Sequence, residues 1–435
     1  MWKCHPLIRS NPQLQLERVM CINRVAVCLT MCSAAWSSAV SADWSQFLGQ
    51  QRNGTSTETN LLATFPAAGP EEVWRTALGT GMSGVVVSEG TVYTLFQDDT
   101  RQYVVAFDDT TGDRQWQSEV ADAYRNPMGN GPRATPAIAD HMVYVLTGDG
   151  ILAALEADSG NVHWKADVTG KLGSMPADYG MASSPLVSHG NVVVQAGGAG
   201  GTVAAYSIES GDVAWRLGND ACGYSSPVHL KLDGVEQIVA FSAASLLGIS
   251  SVSGEKLWEY PFATNYDCNI ASPVQVNESS LLISAGENHG VVLLTVTQSD
   301  GHWSVEEMWS SLGKRSVLRS EWQTPVLLDG YLFGLDNVGA AGPITNLVCV
   351  NVSTGESVWA KNRFGKSNLT LADGKLFIST LQGELVIVQA TPEGFRETAR
   401  VGVLGMTRQA PVIANGRLYL RDDREVVCLD IRSNG

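Results

Sequence analysis

Phe107-Asp108-Asp109-Thr110-Thr111-Gly112-Asp113-Arg114-Gln115-Trp116 is written again as Leu155-Glu156-Ala157-Asp158-Ser159-Gly160-Asn161-Val162-His163-Trp164. The same ending returns where Trp215 follows Ser210-Gly211, Trp258 follows Ser253-Gly254 and Trp359 follows Thr354-Gly355. Trp74 and Trp309 stand in similar surroundings without the Thr/Ser-Gly pair. A strand-rich unit recurring roughly every 40–50 residues is the mark of a propeller or solenoid. Abundant glycine (44 residues) and modest proline (16) suit many short strands joined by tight turns.

Working outward, each unit opens on a small residue and proline: Thr135-Pro136, Ser184-Pro185, Ser226-Pro227, Ser272-Pro273, Thr324-Pro325 and Ala410-Pro411. Proline cannot donate to a ladder, so it belongs at a strand start or on an edge, as in the innermost strand of a blade. A second strand follows a turn (Gly90-Thr91-Val92-Tyr93), and a third follows another (Gly201-Thr202-Val203-Ala204-Ala205-Tyr206). The Thr/Ser-Gly pair supplies the positive φ of a tight hairpin. The fourth strand carries the Trp, whose broad face suits packing between blades.

Seven fourth strands carry Trp74, Trp116, Trp164, Trp215, Trp258, Trp309 and Trp359, and an eighth near Ala399 has lost its tryptophan. Ser83-Gly84-Val85 and Ser367-Asn368-Leu369 complete eight first strands. The chain starts its repeats with an isolated fourth strand (Glu72-Val73-Trp74-Arg75) and ends on a third (Val426-Val427-Cys428-Leu429-Asp430). The two halves complete one blade and remove the ring's exposed edges. The expectation is an all-β, eight-bladed propeller of four-stranded antiparallel blades over 71–435. Seven blades is the alternative if the repeat near residue 370 is absorbed elsewhere.

Residues 1–42 read as a secretion signal: Arg18 and Arg24, the apolar run Val25 to Trp36, then Val40-Ser41-Ala42 with cleavage after Ala42. Met20 as the start gives a signal of more ordinary length. The apolar run is too short for a permanent span, so no integral membrane protein is expected. In Leu29-Thr30-Met31-Cys32, Met31 stands where a lipoprotein signal needs a small residue, which argues against a lipid anchor. Residues 43–70 form a lead-in. The expected product is an exported monomer, periplasmic or extracellular. The whole sequence carries a formal charge of −15, and the leader contributes four cations against Glu17. The remainder is still more acidic and repels phosphate backbones, so nucleic acid is not an expected partner.

The Asp-x-x-Thr-Gly-x-x-x-Trp phrase resembles the repeat of pyrroloquinoline-quinone (PQQ) type β-propellers. That superfamily includes quinoprotein alcohol dehydrogenases and BamB-like outer-membrane assembly lipoproteins. The resemblance covers about residue 71 to the C-terminus. Trp44-Ser45-Gln46-Phe47-Leu48-Gly49 with Asn53-Gly54 also resembles the lead-in of exported PQQ-repeat proteins. The dehydrogenase resemblance implies PQQ, a calcium held by carboxylate and amide side chains, a catalytic Asp and often a vicinal disulfide. The sequence has no Cys-Cys pair and no Cys-x-x-Cys-His, and no stretch carries over a calcium ligand or catalytic Asp.

Other chemistry finds no constellation: there is no His-Glu-x-x-His and no Gly-x-Ser-x-Gly. His163 beside Trp164 reads as an exposed or packing residue. Gly197-Gly198-Ala199-Gly200-Gly201 lies between two strands and reads as a hairpin loop; Asp98-Asp99 and Asp422-Asp423 read as solvated loop charge. Cys349 and Cys428 occupy the slot where other repeats place Ala106, Ala154 and Ala205. Cys222 and Cys268 each lie five residues before a strand-opening proline and form a candidate disulfide across neighbouring blades.

A site is expected just before the prolines, at the mouth of the central funnel. Three places before the proline the repeat diverges into Arg133, Ala182, Tyr224, Ile270, Trp322 and Arg408, with Tyr179, Asp267, Asn269, Arg319 and Glu321 nearby. Variety and polarity in an otherwise monotonous repeat point to recognition, and arginines beside aromatics suit an anionic or planar ligand. The sequence is therefore read as a non-catalytic module binding a protein, peptide or polymer at one ring face. The alternatives are a PQQ- and calcium-dependent oxidoreductase and a carbohydrate-binding propeller acting on a polysaccharide.

Overall fold

The computed structural model describes residues 43–170, 177–198, 201–339 and 344–433. The secretion-signal reading of 1–42 and the Ala199-Gly200 part of the glycine loop lie outside these residues. Eight separate four-stranded antiparallel sheets account for the strands. Blades 1 to 7 are continuous in sequence, from Val86–Asp122 through Ser367–Gly402. The eighth pairs Glu71–Ala77 with Glu425–Asp430, so the chain's two ends share one sheet. The segment at Ser367–Ala372 is a full first strand, which excludes seven blades.

Prolines act where expected: the first strands begin at Ala137, Leu186, Val228, Val274, Val326 and Val412, each immediately after one. The preceding Ser or Thr does more than fit. Thr135 accepts from the Gly84 N–H at 3.0 Å, Ser184 from the Thr135 N–H at 3.0 Å, and Ser226 from the Ser184 N–H at 2.9 Å. Thr324 accepts likewise from Ser272 at 3.0 Å. These hydroxyls run along part of the channel and satisfy inner-edge donors that no strand can reach.

Six of the seven repeat tryptophans sit opposite a small third-strand residue that makes room; Trp309, opposite Leu293, is the exception. Trp116 faces Ala106, Trp164 faces Ala154, Trp215 faces Ala205 and Trp258 faces Gly248. Cys349 faces Trp359 and Cys428 faces Trp74, so both thiols fill the small slot. Blade 7 inverts the pair, with Ile387 opposite Ala399, which keeps the volume. A bulge interrupts the register beside this position in all eight blades, sharpening the twist of the outer strand.

The tryptophan then reaches the next blade. In the Asp-x-x-Thr-Gly turn, the Asp108 carboxylate accepts from the Thr110 and Thr111 N–H groups at 2.9 Å, and Gly112 adopts φ +73°. That glycine lies against Trp74 of blade 8, and the Trp74 indole donates to the Asp109 carbonyl at 2.8 Å. Trp116 docks in this way on Gly160 and the Ala157 carbonyl, Trp164 on Gly211 and the Ile208 carbonyl, and Trp309 on Gly355 and the Val352 carbonyl. Trp258 is different: its indole donates to Gln237 of its own blade at 2.7 Å. Blade 5 offers it no nearby turn, because that hairpin runs on to Ser299 and His302.

Arg421 reinforces the seam between blades 8 and 1. It is fully buried and donates to the Thr94 hydroxyl at 2.8 Å, the Gly81 carbonyl at 3.0 Å and the Leu95 carbonyl. The lead-in closes the channel from the side of the first-to-second strand turns. Trp44 bridges to Val87, Ser45 accepts from Ile138, and Gly54 accepts from Leu371 at 2.9 Å. Buried Arg52 anchors it, donating to the Pro185 and Ser184 carbonyls at 2.9 and 3.0 Å.

A glycine pair isolates the value of the docking. Gly211 and Gly190 share φ near +70°, but a Cβ on Gly211 would lie 2.6 Å from Trp164, whereas Gly190 has nothing within 4 Å. Gly190→Ala is predicted to cost about 1–2 kcal/mol from backbone strain alone. Gly211→Ala is predicted to cost about 2 kcal/mol more, read by denaturant unfolding of both variants.

Candidate functional site

The channel above the lead-in opens as a cavity of about 160 Å³. Its floor is Trp44, Phe47 and Leu48; its wall includes Val85, Leu369 and Pro411. All six divergent positions three before the proline, Arg133, Ala182, Tyr224, Ile270, Trp322 and Arg408, line it. They come together because each caps an inner strand whose axis points along the channel, so the repeat places one side chain per blade on the rim.

Two aromatic groups carry cations here. The Arg408 guanidinium lies 5.6 Å from the Trp322 ring centre and Lys366 Nζ lies 4.3 Å from it. Arg133 lies 5.0 Å from the Tyr124 ring centre. Such contacts favour a desolvated cation. Lys366 is also paired to Glu321 at 2.9 Å. Burial raises the Glu321 carboxyl above its ordinary pKa, and the lysine's hydrogen bond opposes that. Tyr179 stacks on Tyr224 with ring centres 5.5 Å apart. Burial pushes the Tyr224 hydroxyl well above its ordinary value, keeping it a neutral donor and acceptor.

Tyr179 and Glu321 thus stand next to Tyr224 and Trp322 without lining the cavity, and three further expected site residues lie elsewhere. Asn269 is fully buried and its side-chain amide donates to the Ser242, Ala243 and Phe262 carbonyls, bracing a loop. Arg319 is buried in a two-point ion pair with Asp336, with both contacts at 2.7 Å, and donates to the Lys314 carbonyl. Asp267 is exposed in a short 3-10 turn at φ +57°. Spacing alone could not separate these from the rim, because burial depends on partners far away in sequence. Cys222 and Cys268, expected as a candidate disulfide, are separate thiols. Cys222 packs on Gly197, Cys268 donates to the Tyr266 carbonyl at 3.5 Å, and burial pushes both up to about 11.

Sequence reasoning also missed Tyr124, Met82 and Lys366. Lys366 precedes one of the two first strands that lack a proline marker, and the lead-in's place under the cavity has no signal in the repeat. The calcium-and-quinone expectation fits poorly. Among the described residues lining the cavity there is no Asp or Glu, and two guanidiniums repel a hard cation that wants oxygen ligands.

The family model described as outer membrane protein assembly factor BamB matches residues 33–122 and 100–361. The chain belongs to this BamB family. BamB of Yersinia pestis is 23% identical over 369 residues, 81% of this chain and 76% of that protein. Among solved structures, the BamB of Moraxella catarrhalis superposes with a TM-score of 0.57 at 15% identity, over 83% of this chain and 99% of that one. The quinohemoprotein alcohol dehydrogenase of Comamonas testosteroni reaches 0.64 at 13% identity, over 91% and 81%. At these identities both superpositions speak for the fold. The PQQ-type propeller is thus common to a BamB and a dehydrogenase, and the rim residues must separate them.

The placement of the two arginines predicts opposite outcomes. Arg319→Gln leaves Asp336 buried and unpaired and is predicted to cost about 3–5 kcal/mol. Arg408→Gln is predicted to cost less than about 1 kcal/mol. Thermal and denaturant unfolding of the two variants measures the difference.

Proposed function

We propose that the protein is an exported, non-catalytic propeller that holds a protein partner at the ring face bearing the loops between blades. The observation that carries this is the convergence of six side chains of five kinds, one from each of six blades, on a single cavity. The rest of the repeat is uniform because blade packing demands it; the rim is free of that demand, and there the sequence diversifies. The family supports the same reading, since its relatives are named as outer membrane protein assembly factors. Assembly work of that kind needs a rigid surface rather than a reaction centre.

The loop face also carries apolar side chains that a partner would cover. Met128, Tyr266 and Met406 sit in three of the blade-to-blade loops and are 56%, 69% and 62% exposed. Exposed methionine adapts to varied apolar surfaces. No helix among the described residues is long and apolar enough to cross a membrane. The quinone-dependent reading is the weaker one, because the cavity supplies cations where calcium needs carboxylates.

Photo-cross-linking from defined positions in cells tests the proposal. Probes at Met128, Tyr266 and Met406 are predicted to yield specific adducts. Probes at Val213, Val252 and Val358, near the third-to-fourth strand turns of the opposite face, are predicted to yield none. Adducts confined to the opposite face overturn the assignment.

A further inference from the structure

Two guanidiniums meet at the funnel mouth with no carboxylate between them. Arg133 Nη2 donates to the Gly129 carbonyl at 2.6 Å, and Arg408 Nη1 donates to the Met128 carbonyl at 3.0 Å. Consecutive peptide oxygens therefore hold the two groups as neighbours. Arg408 also donates to Met82 Sδ at 3.0 Å. Among the described residues neither arginine forms an ion pair; Asp423, which shares a side pocket with Arg408, instead accepts from the Gly81 N–H at 3.3 Å. Arg133 Nη1 is buried and has no hydrogen-bond partner. Burial foremost lowers the Arg133 pKa; the neighbouring Tyr124 opposes this and the charge of Arg408 adds to it.

This arrangement costs stability twice over. Like charges repel more strongly away from bulk water, and a buried donor without an acceptor keeps its desolvation penalty. One bound anion removes both costs. A carboxylate presents two coplanar oxygens, which match guanidinium forks. The body attached to it would face Ile270, Leu369 and Pro411 below and Trp322 and Tyr224 beside it. A hydrated inorganic anion gains little from such walls. A volume of about 160 Å³ is close to that of a protein cavity known to accept one benzene ring.

We propose that the funnel mouth binds a carboxylate carried on a single flat ring, with Arg133 and Arg408 taking its oxygens and Trp322 and Tyr224 flanking its body. The inference deepens the reading that the loop face is the binding face, and it rests on that reading. The carboxylate has two sources: a free aromatic acid, or an aromatic residue at the C-terminus of a bound polypeptide.

Calorimetric titration of the purified protein with benzoate tests it, with benzamide and inorganic phosphate as comparisons. Benzoate is predicted to bind one-to-one and to weaken as salt rises, because the contact is charged. Benzamide is predicted not to bind. Arg133→Gln and Arg408→Gln are each predicted to weaken benzoate at least about tenfold, and Arg408→Lys by less, since it keeps charge but loses the fork. Unfolding midpoints of the variants show that the ring is intact. Two short peptides, one ending in a phenylalanine carboxylate and one in its amide, separate the sources. Tighter binding of the carboxylate peptide than of benzoate supports the site with a polypeptide source; the reverse supports it with a small acid. Equal binding of benzoate and benzamide, preference for phosphate, absence of benzoate binding, or indifference to both arginine variants overturns the proposal. Cross-linking can fail while benzoate binds, and benzoate can fail while cross-linking succeeds, so the two readings fall separately.

Discussion

The docking of a tryptophan from one blade onto the glycine turn of the next is the contact on which this ring depends. The indole needs a flat partner without a Cβ, and the turn needs a residue at positive φ; one glycine meets both demands. The indole N–H needs an acceptor, and the carbonyls of Asp109, Ala157, Ile208 and Val352 supply it in four of the junctions. Contacts of this kind link only neighbours, so stability accumulates around the circle as in other repeat architectures. The seam must be as strong as any other junction. Trp74 docks on Gly112 there, and Arg421 adds a buried set of hydrogen bonds.

The inner row of hydroxyls complements this outer set of indoles. First strands are short and expose donors toward the channel, where no further strand can pair. In four motifs the Ser or Thr before the proline accepts from the equivalent residue one blade back, while the Ser272 hydroxyl donates to the Ser226 carbonyl. Blade 7 lacks both devices, with Ser367-Asn368 in place of the proline motif and Ala399 in place of tryptophan. It is held instead by its longer first strand, by the lead-in at Gly54 and Ser56, and by the Thr370 bond to the Pro411 carbonyl at 2.5 Å.

Much of this was legible before any coordinates. The Thr/Ser-Gly-x-x-x-Trp phrase, the strand-opening prolines and the split terminal strands are local signals, and they led to eight blades and to the composite eighth. The rim positions Arg133, Tyr224, Trp322 and Arg408 were legible through their offset from the prolines. What could not be read depends on partners far apart in the chain. Arg319 looks like a rim cation until Asp336 is seen beside it, and Asn269 looks like a polar loop residue until three carbonyls surround it. The lead-in's position under the cavity leaves no periodic trace at all. Cys222 and Cys268 are equivalent by count but differently packed in space.

These facts divide the molecule into a ring that must be uniform and a rim that need not be. The acidic chain gathers unpaired cations and aromatic rings where packing makes no claim on them. Thermal unfolding of two variants tests that division most directly. One replaces four rim residues together (Arg133→Gln, Tyr224→Phe, Trp322→Phe and Arg408→Gln), and the other is Trp164→Ala alone. The rim variant is predicted to melt within about 5 °C of the parent, and Trp164→Ala clearly below it, since loss of a buried tryptophan costs about 3–5 kcal/mol. A rim variant that unfolds first would contradict the account, because the residues assigned to recognition would then be holding the ring together.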